Sequence, residues 1–148
     1  MSIRTIVDRR LHERGLRGAH HTNRIREEPA MSYVDGFVLP VPEKNLAAYR
    51  RLARKAGAIW KEYGALEYVE CVADDVQSGK VTSFPQSVKL KPGEVVVFSW
   101  IVYASRAQRD RVNKKVMADP RIAGMDPKSM PFDGKRMFWG GFKPIVEL

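Results

Sequence analysis

The stretch Glu94-Val-Val-Val-Phe-Ser-Trp-Ile-Val-Tyr103 is the densest apolar run in the chain and the one whose reading decides the fold. Its β-branched and aromatic residues suit a pleated surface, so it is read as a strand. Side chains alternate across a strand. Val95, Val97 and Ile101 therefore fall on one side, and Val96, Phe98, Trp100 and Val102 on the other. Ser99 alone interrupts the first side. A strand apolar on both faces must be covered on both, by helices on one face and by a second copy of the chain on the other.

Outward from this strand the chain divides into regular segments. Tyr33–Leu39 reads as a strand stopped by Pro40 and Pro42. Pro42 and Glu43 suit the first turn of a helix, which runs to about Tyr63. Tyr49, Leu52, Ala53, Ala56, Ile59, Trp60 and Tyr63 recur at spacings of three and four and form its buried stripe. Gly64 is the stop. Leu66–Ala73 is a second strand, followed by turn residues at Asp74-Asp75 and Ser78-Gly79. Ser87–Leu90 is read as a short strand that hairpins into the central one. Ser105-Arg-Ala-Gln108 has the form of a capping box and opens a helix ending near Asp119-Pro120. Arg121–Lys135 is a loop long enough to suggest function. Arg136–Phe142 is the last strand, continuing to Val146, with Gly140-Gly141 marking a bulge or a close backbone approach.

The order is β-α-β-β-α-β, the α+β, ferredoxin-like arrangement with an antiparallel sheet and both helices on one face. The first and third principal strands are then central. The second face of the third strand would lie bare in a monomer, an apolar area that soluble monomers seldom show. Two sheets packed face to face in a homodimer, a dimeric α+β barrel, remove it from water.

Composition narrows the classes. A chain of 148 residues with 44% apolar content fits one domain with a proper core. No apolar run approaches the ~20 residues of a bilayer span, and the N-terminus lacks the apolar core of a secretory signal. Cys71 is the single cysteine, which excludes an internal disulfide and fits a reducing cytoplasm. The net charge of +9 is dispersed: residues 1–30, with seven Arg and four acids, carry +3, and the remainder carries +6. Dispersed charge reads as solubilising surface and not as a nucleic-acid footprint. Residues 1–30 hold all three histidines and few large apolar side chains. They are read as a mobile basic extension, with Met31 a candidate natural start of the folded part. The adjacent pair His20-His21 lacks a third ligand at defined spacing and is read as surface.

Several motifs in the same order resemble a known family: Tyr33-Val-Asp-Gly-Phe-Val, Glu70-Cys, Gly79-Lys-Val-Thr, Val96-Val-Phe-Ser-Trp-Ile, Asp119-Pro-Arg, Met130-Pro-Phe-Asp-Gly-Lys-Arg-Met137 and Gly140-Gly-Phe142. They are similar to the family termed domain of unknown function 1428, from about Ser32 to near the C-terminus. Residues 1–30 have no counterpart in that pattern. The resemblance implies a dimeric α+β barrel of a small bacterial protein and brings no established activity with it.

Chemistry is sparser than architecture. RNA-recognition modules share this strand order but place a basic residue, glycines and aromatics on the third strand, where Val95-Val-Val-Phe-Ser-Trp offers neither the basic residue nor the glycines. Nucleic acid is therefore not the expected partner. Residues 31–148 contain no histidine, so His-ligated haem, a His-based metal site and a Ser-His-Asp triad have no histidine to use there. No cofactor and no metal are expected. Catalysis would rest on carboxylates, Tyr, Ser, Arg or Lys around an apolar cleft between sheet and helices.

The candidate catalytic residues are Asp35 and Glu70. Each is either a mid-strand carboxylate of raised pKa acting as a base, or a cross-strand partner for a cation. Candidate ligand contacts are Ser99, Trp100, Asp133 and Arg136. Ser99 either donates into a pocket or satisfies a backbone group, while Trp100, with Phe98 and Trp139, lines a pocket or packs an interface. Asp133 and Arg136 flank a glycine turn and either clamp a polar ligand or make the turn. Asp74-Asp75 is read as a turn and Cys71 as core. The expected role is a protein binding or converting a small hydrophobic or aromatic metabolite. The alternative is a structural or interaction protein with a filled barrel.

Overall fold

The structure, a computed structural model, describes residues 32–148. The readings of residues 1–30, of His20-His21 and of Met31 as a start lie outside the described residues. Strand β1 (Tyr33–Pro42) leads through a 3-10 turn at Glu43–Asn45 into helix α1 (Leu46–Glu62). Strand β2 (Glu67–Val72), the short helix α2 (Phe84–Ser87) and strand β3 (Glu94–Tyr103) follow. Helices α3 (Arg106–Ala118) and α4 (Pro120–Ala123) and strand β4 (Phe138–Phe142) complete the regular elements. The four strands form one antiparallel sheet in the order β2-β3-β1-β4, with β1 and β3 central. This is the ferredoxin-like α+β fold expected from the sequence.

The register explains why β1 carries two prolines that were expected to stop it. β3 pairs with β1 over its whole length, from Tyr33 opposite Tyr103 to Pro42 opposite Glu94. β4 pairs only from Val34 to Val38. Beyond Val38 the other edge of β1 has no strand partner, so Pro40 can lack an N–H there without breaking a ladder.

Both long helices pack on the face carrying Tyr33, Asp35, Phe37, Leu39 and Val41 of β1. Tyr49 and Ala53 of α1 bury Leu39, Val41 and Val97. Ile59 of α1 and Val112 and Val116 of α3 close over Tyr33, Ile101 and Tyr103. Gly57 lets α1 approach β2: a Cβ there would lie 2.5 Å from the Tyr68 ring. Gly64 ends the helix at φ +117°, a conformation that costs glycine little. At α3, Ser105 Oγ accepts the Gln108 N–H at 3.1 Å, as the capping box requires. The Gln108 side chain accepts from Ala104 N and donates to Gly64 O, tying the two helices' ends together in place of the expected bond to Ser105.

Three expectations are corrected. Ser87–Leu90 is not a strand. Ser83 caps α2, its Oγ accepting from Gln86 N, and Pro85 occupies the first turn. Val88 behind this helix buries Val38 and Val96, so the chain itself covers one end of the sheet's second face. The long loop is largely ordered turns, and Asp119, Asp126 and Asp133 each cap one by accepting a backbone N–H two residues on. The last strand is limited to Phe138–Phe142, because Arg136 is consumed by the preceding 3-10 turn Gly134–Arg136. Its pairing with β1 is continuous, so Gly140-Gly141 is not a bulge. It is a close approach: a Cβ on Gly141 would collide with the Arg109 guanidinium and the Tyr33 hydroxyl. Away from α2 the second face stays largely open, with Phe138 47% and Phe142 63% exposed, and even Phe98, which meets Phe84 of α2 edge-on, is 41% exposed.

Candidate functional site

Between the sheet and the helices lies a cavity of about 460 Å³, within the usual range for small-molecule sites. The sheet supplies Phe37, Leu39, Tyr68, Glu70, Ser99, Ile101 and Trp139 to its wall, and α1 supplies Tyr49, Leu52, Ala53, Ala56 and Trp60. Asn113 and Met117 come from α3. The segment that follows α3, suspected for its length, closes the cavity with Ile122, Met125, Met130 and Phe132, and Met137 follows just before β4. Aromatic rings brace this wall: Phe37 stacks on Trp139, and Tyr49 meets Phe132 edge-on at 5.6 Å. The half-exposed state of Leu52, Ala56 and Trp60, which the helical stripe marks as buried, is explained by this empty volume.

The register sets Glu70 directly opposite Ser99. Tyr49 Oη donates to Glu70 Oε2 at 2.7 Å and Tyr68 Oη donates to Glu70 Oε1 at 2.8 Å. Burial, then the Glu70 charge, pushes both phenols far above their ordinary range, so each keeps its proton and remains the donor. The Ser99 side chain, 5% exposed, has no hydrogen-bond partner among the described residues. No Lys, Arg or His is among the described residues lining the cavity.

Asp35, on the same face, is placed differently. It is 1% exposed and does not line the cavity. Arg109 Nε lies 3.3 Å from Asp35 Oδ1, an ion pair whose two atoms lack hydrogen-bonding alignment with any partner. Asn113 donates to Asp35 Oδ2 at 3.4 Å. Its Oδ1 accepts from the Trp60 indole at 3.1 Å and from Tyr103 Oη at 3.0 Å, which fixes the amide's orientation because an indole can only donate. Burial raises the Asp35 pKa against the opposing pull of Arg109 and Asn113. Asn113 is thus the link from this buried cluster to the cavity wall.

The remaining candidates are scattered. Arg136 grips Glu94 with two nitrogens, at 2.7 and 2.6 Å, and Asp133 through Nε at 2.9 Å. It also donates to Lys89 O at 3.1 Å. Its donors are therefore occupied by the protein, and neither Arg136 nor Asp133 lines the cavity. The pair secures the end of the cavity-closing segment. Trp100 borders the cavity, but its register places its side chain on the opposite face, where Nε1 donates to Glu67. Sequence reading missed Asn113 and Arg109. Their signal is visible in retrospect: Arg109 and Asn113 stand one turn apart, beside Val112 and Val116 on the inward side of α3.

A family model described as Protein of unknown function (DUF1428) matches residues 32–134, a span that includes Asp35, Glu70 and Ser99. The chain belongs to this family. The uncharacterized protein YbaA of Escherichia coli strain K12 is 54% identical over 117 residues, covering 79% of this chain and 99% of that protein. YbaA of Shigella flexneri matches to the same extent. A dimeric ferredoxin-like protein from an uncultured marine organism superposes with a TM-score of 0.54 at 9% identity, over 80% of this chain and 99% of that one. That likeness supports the fold. Among the described residues no helix is long and apolar enough to cross a membrane, and no group of three or more His, Cys, Asp or Glu could hold a metal ion.

Proposed function

We propose that the chain binds a small hydrophobic or aromatic metabolite, without a metal, in the cavity between its sheet and helices, as a homodimer joined through the bare sheet face. The cavity carries this reading. An apolar volume of about 460 Å³ with one carboxylate and one unpartnered hydroxyl side by side is poorly explained as packing, since a close-packed core leaves few voids larger than a water molecule. Glu70 would anchor the polar end of the ligand, or act as its base.

The dimer rests on the exposed Phe98, Phe138 and Phe142, and the dimeric description of the ferredoxin-like neighbour is consistent with it. Thermal shift against a panel of small aromatic and aliphatic compounds tests the site. Ala56→Phe should fill the cavity and abolish any shift while leaving the sheet-face contact intact. A panel that raises the melting temperature of wild type and of Ala56→Phe equally would reject the cavity as the binding site. For the dimer, light scattering should give twice 16.8 kDa and Phe98→Asp should halve it; a wild-type mass of 16.8 kDa overturns that part.

A further inference from the structure

Resting on the cavity reading above, we infer that the ligand is an apolar amine, recognised as a cation by Glu70 among aromatic rings. The polar atoms that face the cavity decide the ligand's charge. Glu70 accepts two phenolic protons, which are the partners a carboxylate needs, and has further lone pairs left. Tyr49 and Tyr68 have spent their protons on Glu70, so what their oxygens still offer is acceptance. Asn113 has both lone pairs of Oδ1 occupied by Trp60 and Tyr103 and turns its amide toward Asp35. The donors left are neutral: the Ser99 hydroxyl, the second N–H of the Asn113 amide and the Trp139 indole. A cavity with one carboxylate, several acceptor oxygens, only neutral donors and no Lys, Arg or His among its described lining residues selects a ligand that brings positive charge. It disfavours a carboxylate or a phosphate, for which like charge in an apolar surrounding is costly.

The rings strengthen the case. Trp60 and Tyr68 both line the cavity, with centroids 6.2 Å apart, aromatic surface of the kind that attracts an ammonium. Met117, Met125 and Met130 leave an adaptable apolar wall for the tail. Met117 and Trp139 line the cavity while each is more than half exposed, which makes them its rim and the entry for such a ligand.

Isothermal titration of the full chain with 2-phenylethylamine, 2-phenylethanol and 3-phenylpropanoate tests this, since the three share a ring and differ in the charge they bring. The amine should bind at least about tenfold more tightly than the alcohol, and the acid most weakly. Glu70→Gln should erase the preference for the amine while retaining the alcohol. Wild-type selectivity is decisive even if that variant folds poorly. Binding of the alcohol or the acid as tightly as the amine overturns the charge assignment and leaves the cavity reading standing. Failure of all three to bind overturns both.

Discussion

Asp35 and Glu70 are the two acids that the strands place on the helix side of the sheet, and the protein treats them in opposite ways. Asp35, opposite Ile101, is sealed between Arg109 and Asn113 and sees no open volume. Glu70, opposite Ser99, is held by two tyrosine hydroxyls and faces a cavity with no cation among its described lining residues. A buried acid that has its own cation belongs to the fold. One held only by neutral donors beside empty space is left open to a further partner. The pair therefore separates a structural carboxylate from a candidate binding carboxylate using geometry alone.

The contrast is open to direct attack. Asp35→Ala takes the buried carboxylate from Arg109, which keeps Asp110 and the Tyr33 hydroxyl, and from the Asn113 amide; it should cost about 3 kcal/mol, the low end for breaking a buried pair, and urea denaturation would read it. A loss below ~1 kcal/mol would make Asp35 as dispensable to the fold as Glu70. Gly57→Ala should cost about 1–3 kcal/mol by driving a methyl group into the Tyr68 ring. Because that ring carries the hydroxyl on Glu70, the same variant should also weaken ligand binding, and normal affinity in a destabilised Gly57→Ala protein would uncouple Tyr68 from the site. Glu70→Gln keeps the shape and should change stability by no more than about 1 kcal/mol. A larger loss would place Glu70 with Asp35 among the structural acids.

The smallest effect is in pH. Asp35 has a folded pKa above its unfolded value, so the folded state holds this proton more tightly. Its contribution to stability therefore improves as pH falls from neutrality through the raised pKa, and levels off below the unfolded value of about 3.9. Glu94 and Asp133 behave oppositely. Hydrogen bonds from Arg136 lower both, and the stability they add is lost as pH falls through their folded pKa values. Asp35→Asn should remove only the first component. Its stability relative to wild type should thus worsen as pH falls from neutrality toward the unfolded carboxylate value, and a pH-independent difference would mean that Asp35 does not titrate abnormally.

Much of the frame was legible in the residues. Two-residue alternation in Glu94–Tyr103 and three-to-four spacing in Leu46–Glu62 report on local geometry, which neighbours along the chain specify. The Ser105 cap and the Gly64 stop were readable for the same reason. Local signals failed where a partner strand was absent, as at Pro40, or where a cap was overlooked, as at Ser83. Of the candidate site, Glu70 and Ser99 meet on the wall of a cavity, whereas Asp133 and Arg136 are occupied by Glu94 and a turn.

What the sequence by itself determined is the order of the principal elements, the central strand and which neighbours along the strand share a face with Asp35 and with Glu70, because a strand's period of two sets that much. Only the tertiary structure decided which acid would be sealed and which left open. Asp35 meets a side chain 78 residues away and Glu70 one 21 residues away. Those encounters depend on where α1 and α3 come to rest on the sheet and where the segment after α3 folds back, which is a property of packing and not of any local pattern.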